Sequence, residues 1–217
     1  MPNIRRVLAV MVGASLILSW APSALATKPH HERDETRWVN AFWHSRRKVD
    51  RDTYLRVTWY AGAYESQEYG FFSDLYRSIE RCQRREGRDR CRYQRDKSWY
   101  GYTTRRASNS FTMDRRFTTG HLDATYKLYR IVDRQRVLVG RFHVVADLLG
   151  TGPMTHGREE YSSHQGCTTV HYGGKFKYRD ATATGTLARD REAARDLGTT
   201  KDANFGQNQS VAIDHSC

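Results

Sequence analysis

Residues 54–64 have the sequence YLRVTWYAGAY, in which side-chain character alternates with a period of two. Because successive side chains of a strand point to opposite faces, this alternation predicts a β-strand with one buried face and one outer face. The expected buried face carries Leu55, Val57, Trp59, Ala61 and Ala63. The expected outer face carries Tyr54, Arg56, Thr58, Tyr60 and Tyr64.

The same period recurs along the chain. Residues 121–132 and 138–148 both alternate, and the short polar link between them predicts a hairpin. Residues 187–197 fit either three helical turns or a charged loop, and 150–166 is the longest expected loop. These patterns predict an all-β domain, an antiparallel β-sandwich or a barrel-like fold of about 8–10 short strands.

The N-terminal residues have the organisation of a signal peptide. Arg5 and Arg6 precede an apolar run at 7–18, and Ala24-Leu25-Ala26 fits a signal peptidase site. We therefore expect residues 1–26 to be removed and the protein to be secreted, to the extracellular space or the cell envelope. The general secretory and twin-arginine routes both stay open. Residues 27–35 are expected to be disordered and 36–217 to form a single secreted β domain without a transmembrane segment.

Four cysteines agree with export, because an even count outside the cell predicts disulfides. We expect two bridges, Cys82–Cys91 and Cys167–Cys217. The first pair brackets residues 83–90, which predicts a hairpin loop clamped at its neck. A zinc site is the alternative, but no two cysteines have the spacing C-x2–4-C, and neither a metal nor a cofactor is predicted.

The charge is strongly basic and unevenly distributed. Lys plus Arg number 36 against 24 acids, which gives a net charge of +12 and a pI near 9.8. Residues 81–116 hold twelve basic and four acidic side chains, a net of 12 − 4 = +8, with aromatic residues among them. The guanidinium fork suits phosphate, carboxylate and sulfate, although an arginine-rich composition also produces solvated charged loops. The candidate binding residues are Arg84, Arg85, Arg88, Arg90, Arg92, Arg95, Trp99, Tyr100 and Tyr102.

Histidine and acidic side chains between residues 143 and 171 are the candidates for catalysis. His143, His156, Glu160 and His164 supply groups that suit acid–base chemistry near neutral pH. Such groups act together only when they lie within a few ångströms of each other, and no H-E-x-x-H motif fixes that spacing here. A polar exposed loop explains the same residues.

These observations predict a secreted basic protein that binds an anionic surface or polymer. A cell-wall polymer, an acidic glycan, an anionic lipid surface and a nucleic acid all fit the charge. The alternative is a small secreted hydrolase that uses the His and Glu residues of 143–171, so whether the protein is an enzyme stays open. A third interpretation is an interaction protein whose outer tyrosine face meets a protein or a glycan.

Overall fold

The computed structural model describes residues 31–67, 70–104, 106, 109–165 and 168–215. They form ten antiparallel strands and include a 3-10 turn at Arg95–Lys97. The strands are β1 (His31–Lys48), β2 (Thr53–Ser66), β3 (Gly70–Arg85), β4 (Arg88–Tyr93), β5 (Trp99–Thr103), β6 (Ser110–Met113), β7 (Thr119–Val132), β8 (Gln135–Gln165), β9 (Thr168–Arg189) and β10 (Arg195–His215). The all-β prediction is confirmed.

Eight of these strands close into a ring. The order is β2-β1-β10-β9-β8-β7-β5-β3, and β3 pairs again with β2 through fourteen residue pairs from Thr53↔Gln83 to Ser66↔Gly70. Of the remaining strands, β4 extends the β3 hairpin beyond the ring and β6 pairs with β7. The closed ring is a barrel, in which no strand of the ring leaves a free edge over its paired length.

The interior of the barrel is filled by alternate residues of each strand. On β2, Trp59, Ala61 and Ala63 are buried as predicted, whereas Leu55 and Val57 are only half-buried because they lie near the barrel rim. Small side chains alternate with large rings, so that the layers interdigitate. The largest fully buried rings are Tyr126, Phe117, Phe142 and Phe205.

The expectation of short strands is wrong, since β8 has 31 residues, β9 22 and β10 21. Residues 150–165 are not a loop, because β8 pairs with β9 as far as Gln165↔Thr168. The Gly152-Pro153 turn signal marks a register shift between Thr151 and Thr155, which is a bulge in the strand. The extent of β8 and β9 is therefore determined by their backbone pairing with each other and not by the polarity of the local sequence.

The N-terminal boundary also differs from the prediction. β1 begins at His31, and Glu35 pairs with Gln209 of β10, so residues 31–35 belong to a strand that starts before the expected boundary at residue 36. The polar sequence of this stretch does not indicate a strand, because the backbone partner is almost 180 residues away in the sequence. Residues 190–194 form the β9–β10 turn, which agrees with the charged-loop alternative.

The two ends of the barrel differ. At one end, β8, β9, β10 and β1 continue past the last β7–β8 pair, Thr119↔Leu149, as a four-stranded extension. The opposite end, called the hairpin end below, carries the turns at 49–52, 86–87, 133–134 and 190–194. The Cys82–Cys91 bridge lies at the hairpin end and is confirmed. Cys167 and Cys217 lie outside the described residues, so the second bridge stays a prediction.

Candidate functional site

The tip of the β3–β4 hairpin projects from the barrel as a two-stranded ribbon, and residues 81–92 are called the arginine hairpin. Its pairs run from Arg81↔Arg92 to Arg85↔Arg88, and Glu86 and Gly87 form the turn with φ of 51° and 74°. A two-residue turn with positive φ at both positions matches the right-handed twist of its strands. The disulfide therefore clamps a ribbon whose turn is already set, as the sequence predicts.

Five arginines share one face of this ribbon. Directly paired residues of antiparallel strands point to the same face, and the pairs are Arg81↔Arg92, Gln83↔Arg90 and Arg85↔Arg88. All five guanidinium groups are exposed. Two of the three pairs set like charges opposite each other, which destabilises a sheet. The opposite face carries the disulfide together with Arg84 and Asp89.

Nearby acids do not neutralise this face. Asp89 accepts a hydrogen bond from the Tyr54 hydroxyl at 2.7 Å, and Glu80 is 2.5 Å from a guanidinium nitrogen of Arg56. In the part of the chain that the structure describes, no carboxylate forms a salt bridge with the five arginines. Their fields therefore add at the tip of the ribbon.

Two shallow depressions adjoin the base of the hairpin. One of about 310 Å³ is lined by Tyr93, Arg95, Ser98, Trp99, Tyr100 and Ile131. The other, of about 400 Å³, is lined by Arg95, Asp96, Ile131, Asp133 and Arg134. Both contain Arg95, so the predicted residues Arg95, Trp99 and Tyr100 meet here. Aromatic walls beside guanidinium groups suit a planar or ring-shaped anionic group.

Tyr102 belongs to a different surface from the predicted arginines, and it shares that surface with Tyr100. Its ring is 56% exposed and stacks on Phe72, with the two centroids 5.6 Å apart. Phe72 pairs with Tyr64 of β2, and these two rings also stack at 4.7 Å. The predicted outer face of β2 thus continues onto β3 and β5.

That outer surface, called the aromatic face, consists of rows that cross the strands in register. Each row follows directly paired residues from one strand to the next, so its members point outward together. The first row is Tyr178, Gly206, Trp38, Tyr64 and Phe72. The second is Asp180, Asn204, Asn40, Gly62 and Asp74, and it continues to Tyr102, which pairs with Asp74. The third is Phe42, Tyr60, Tyr76, Tyr100 and Tyr129.

The middle row is polar and lies between the two aromatic rows. Asn204 Oδ1 accepts from Trp38 Nε1 at 3.2 Å and from Asn40 Nδ2 at 3.4 Å. The Tyr60 hydroxyl donates to Asn40 Oδ1 at 2.8 Å, and the Tyr60 ring crosses above Gly62. A Cβ added at Gly62 would lie 2.1 Å from the Tyr60 hydroxyl oxygen. Glycine is therefore required for this ring position, and one hydrogen-bonded chain joins the two aromatic rows.

Asp74 ends the polar row and has the most perturbed carboxyl among the described acids. Burial raises its pKa to about 7, and the polar contacts of the carboxyl with the Tyr60 side chain and with backbone only partly offset this rise. The carboxyl faces aromatic rings on β2, β3 and β5 and no cation pairs with it among the described residues. A displaced pKa in an aromatic surface is typical of a binding site.

The candidate catalytic residues do not converge. His143, His156, Glu160 and His164 all lie on β8, where a rise of about 3.3 Å per residue separates His143 from His156 by roughly 40 Å. Glu160 is about 13 Å along the strand from both neighbouring histidines. His143 Nε2 instead contacts Asp123 Oδ1 at 2.7 Å, on the exposed outer face.

A metal centre receives no support from the described side chains. The only grouping among them that is close enough to hold an ion is Glu80 with Cys82 and Cys91. Because the two sulfurs are joined to each other, they are not available as thiolate ligands. No described helix has the length and apolar character needed to cross a membrane.

Comparison with known proteins finds no family model, curated protein or solved structure that matches this chain. The class that the fold itself defines is a closed, filled antiparallel barrel with a disulfide-clamped ribbon at one end. The surface features of this barrel that could bind a ligand are the arginine hairpin, the two depressions and the aromatic face.

Proposed function

We propose that this protein binds an anionic polymer outside the cell through the arginine hairpin. The observation that carries the proposal is the single ribbon face with Arg81, Arg85, Arg88, Arg90 and Arg92. Like charges held directly opposite each other cost stability, and a bound polyanion removes that cost. The disulfide on the other face keeps the ribbon paired despite the repulsion, which suits an oxidising compartment.

The spacing of these arginines favours a polymer over a single small anion. Paired guanidinium groups alternate along a two-stranded ribbon, and successive pairs on one face lie about 6.6 Å apart. Charges repeated at that spacing match a chain that carries many phosphate, sulfate or carboxylate groups. The depressions lined by Arg95 lie at the base of the ribbon and offer the chain further contacts.

We expect the triple substitution Arg85→Ser, Arg88→Ser and Arg90→Ser to weaken binding to heparin and duplex DNA and to flatten its salt dependence. Each neutralised DNA phosphate contributes about −0.9 to the slope of log K against log salt, so three lost contacts remove roughly 2–3 units. The measurement is a binding isotherm at four or more salt concentrations. Arg84→Ser, on the opposite ribbon face, is expected to change the slope by less than one such unit.

A charge-matched control separates the hairpin from net charge. Arg47, Arg51 and Arg191 are exposed at the same end of the barrel and lie outside the hairpin. Their triple change to serine removes the same charge and is expected to leave most of the slope. If this control and the hairpin variant flatten the slope equally, the hairpin is a solvated surface and the proposal fails.

A second candidate function, glycan binding by the aromatic face, is favoured by the polar row between two aromatic rows. Sugar rings offer C–H faces that pack on aromatic side chains and hydroxyls that bond to carboxylates and amides. We expect Tyr102→Ala to weaken retention on an insoluble cell-wall polysaccharide about tenfold, with little dependence on salt. Tyr93→Ala, 58% exposed but outside the three rows, is the matched control. Equal losses in both variants would contradict this function.

A further inference from the structure

The barrel interior contains one charged side chain in a layer of aromatic rings. Trp43, Trp59, Arg77 and Trp99 are directly paired across β1, β2, β3 and β5, so all four point inward. Phe142 meets this layer from β8, with its ring centroid 6.0 Å from that of Trp59 and 5.7 Å from that of Trp99. The layer lies towards the hairpin end.

A second arginine reaches the same rings from another strand. Arg195 begins β10 and pairs with the buried, inward-facing Leu187 of β9. Its guanidinium carbon is 5.3 Å from the Trp59 ring centroid, and that of Arg77 is 5.8 Å from the same centroid. Arg77 also lies 4.2 Å above the Trp99 ring. Two guanidinium groups therefore lie against the Trp59 ring, and that of Arg77 also lies against the Trp99 ring.

Neither group has an anionic partner among the described residues. Arg77 donates one hydrogen bond, from Nη1 to the Lys97 carbonyl at 3.4 Å, and no described salt bridge includes it or Arg195. Arg189, near the same rim, does have such partners. Its Nε lies 3.6 Å from the Asp190 carboxylate, and its Nη2 donates to the Val139 carbonyl. A half-buried guanidinium group that has a second cation nearby and no acid costs stability.

The electrostatics of the pair agree with its geometry. Burial lowers the pKa of Arg77, and the positive charge of Arg195 lowers it further. The indole rings offset part of this cost, because the face of an aromatic ring attracts a cation. The rings supply no hydrogen-bond acceptor, however, so most guanidinium N–H groups of the pair have none within the described protein.

We propose that Arg77 and Arg195 form a site for one oxyanion group at the rim of the barrel, with Trp59 and Trp99 as its aromatic wall. The ligand chemistry is a carboxylate, phosphate or sulfate, which accepts from two guanidinium forks at once. The group belongs either to a free anion or to the end of a chain. Arg195 is exposed and Arg77 half-buried, so the site opens to solvent.

This site is separate from the arginine hairpin and does not depend on the proposed polymer binding. On β3, Arg77 precedes Arg81 by four residues and Arg85 by eight, which places them about 13 Å and about 26 Å away along the strand. The five arginine side chains of the hairpin are exposed, whereas Arg77 points into the barrel and is half-buried. Each site can therefore be removed without removing the other.

The test is a titration of the folded protein with sodium sulfate at constant ionic strength, balanced with sodium chloride, and followed by tryptophan fluorescence. Because both guanidinium groups lie against indole rings, an anion drawn between them is expected to change the emission saturably. Parallel titrations with phosphate and acetate rank the anion classes. A heparin hexasaccharide at equal sulfate concentration distinguishes a chain-borne group from a free one.

Arg195→Gln is expected to raise the apparent Kd for sulfate at least tenfold, since an exposed arginine can be replaced without disturbing the core. Arg77→Gln is expected to abolish the response, and circular dichroism checks that it folds. Arg191→Gln, exposed in the neighbouring turn, is the matched control and should titrate like the unchanged protein. Absence of any saturable response, or equal responses from the Arg195 and Arg191 variants, would overturn the proposal. The triple hairpin variant should keep its sulfate response, which separates this outcome from that of the polymer proposal.

Discussion

Replacing Asp74 by asparagine is expected to raise the free energy of unfolding at pH 8 by up to about 4 kcal/mol and to change it little at pH 4. The folded protein holds this carboxyl at a pKa of about 7, against 3.8 for the unperturbed group. The unfolded chain therefore releases the proton at lower pH than the folded one. The stability that Asp74 contributes is full below pH 3.8 and is lost as pH rises towards 7.

The measurement is urea unfolding of both proteins at pH 4, 6 and 8, where the difference between them removes other titrating groups. Asparagine keeps the shape of the side chain and cannot ionise, so its advantage should grow with pH and level off above pH 7. Asp96→Asn, an exposed acid at the hairpin end, is the control and is expected to show no such trend. A gain independent of pH would contradict the assignment of a buried, unpaired carboxyl to Asp74.

Replacing Gly101 by alanine is expected to destabilise the protein by about 3 kcal/mol. An added Cβ would lie 2.2 Å from the carbonyl oxygen of Lys127 and 2.9 Å from Cδ2 of Leu128. The first contact is with backbone, which cannot rotate away as a flexible side chain can. Gly101 lies at the seam where β5 meets β7 beside the single residue pair Tyr100↔Tyr129, so the clash forces open the closure of the barrel.

Gly173→Ala is the matched control for this substitution. Gly173 also lies within a strand, but a Cβ there would meet no atom within 4 Å. Its change is expected to alter stability by no more than about 0.5 kcal/mol. The two midpoints of urea denaturation, at unchanged m value, measure the difference. Similar midpoints would show that the β5–β7 seam is not the tight closure described above.

The sequence alone was sufficient for features that depend on neighbouring residues. The period of two at 54–64 predicted a strand with Trp59, Ala61 and Ala63 inside, because the pleat of a strand is a local property. Cys82–Cys91 and its hairpin also followed from local sequence, since nine positions separate the cysteines and Glu86-Gly87 allows positive φ. The polar stretch 150–165 misled the prediction, because polarity reports solvent contact and not the absence of a strand.

Closure of the ring and all three candidate sites were decided only by the tertiary structure. The five-arginine ribbon face depends on the register of β3 and β4, and the aromatic face depends on the registers of seven strands. The Arg77–Arg195 pair depends on two strands over 100 residues apart. A shift of one residue in any of these pairings would turn the side chains to the opposite face. Register is fixed by long-range backbone pairing and by filling the interior. The sequence therefore shows which residue types are present, but it does not show which of them lie together in a site.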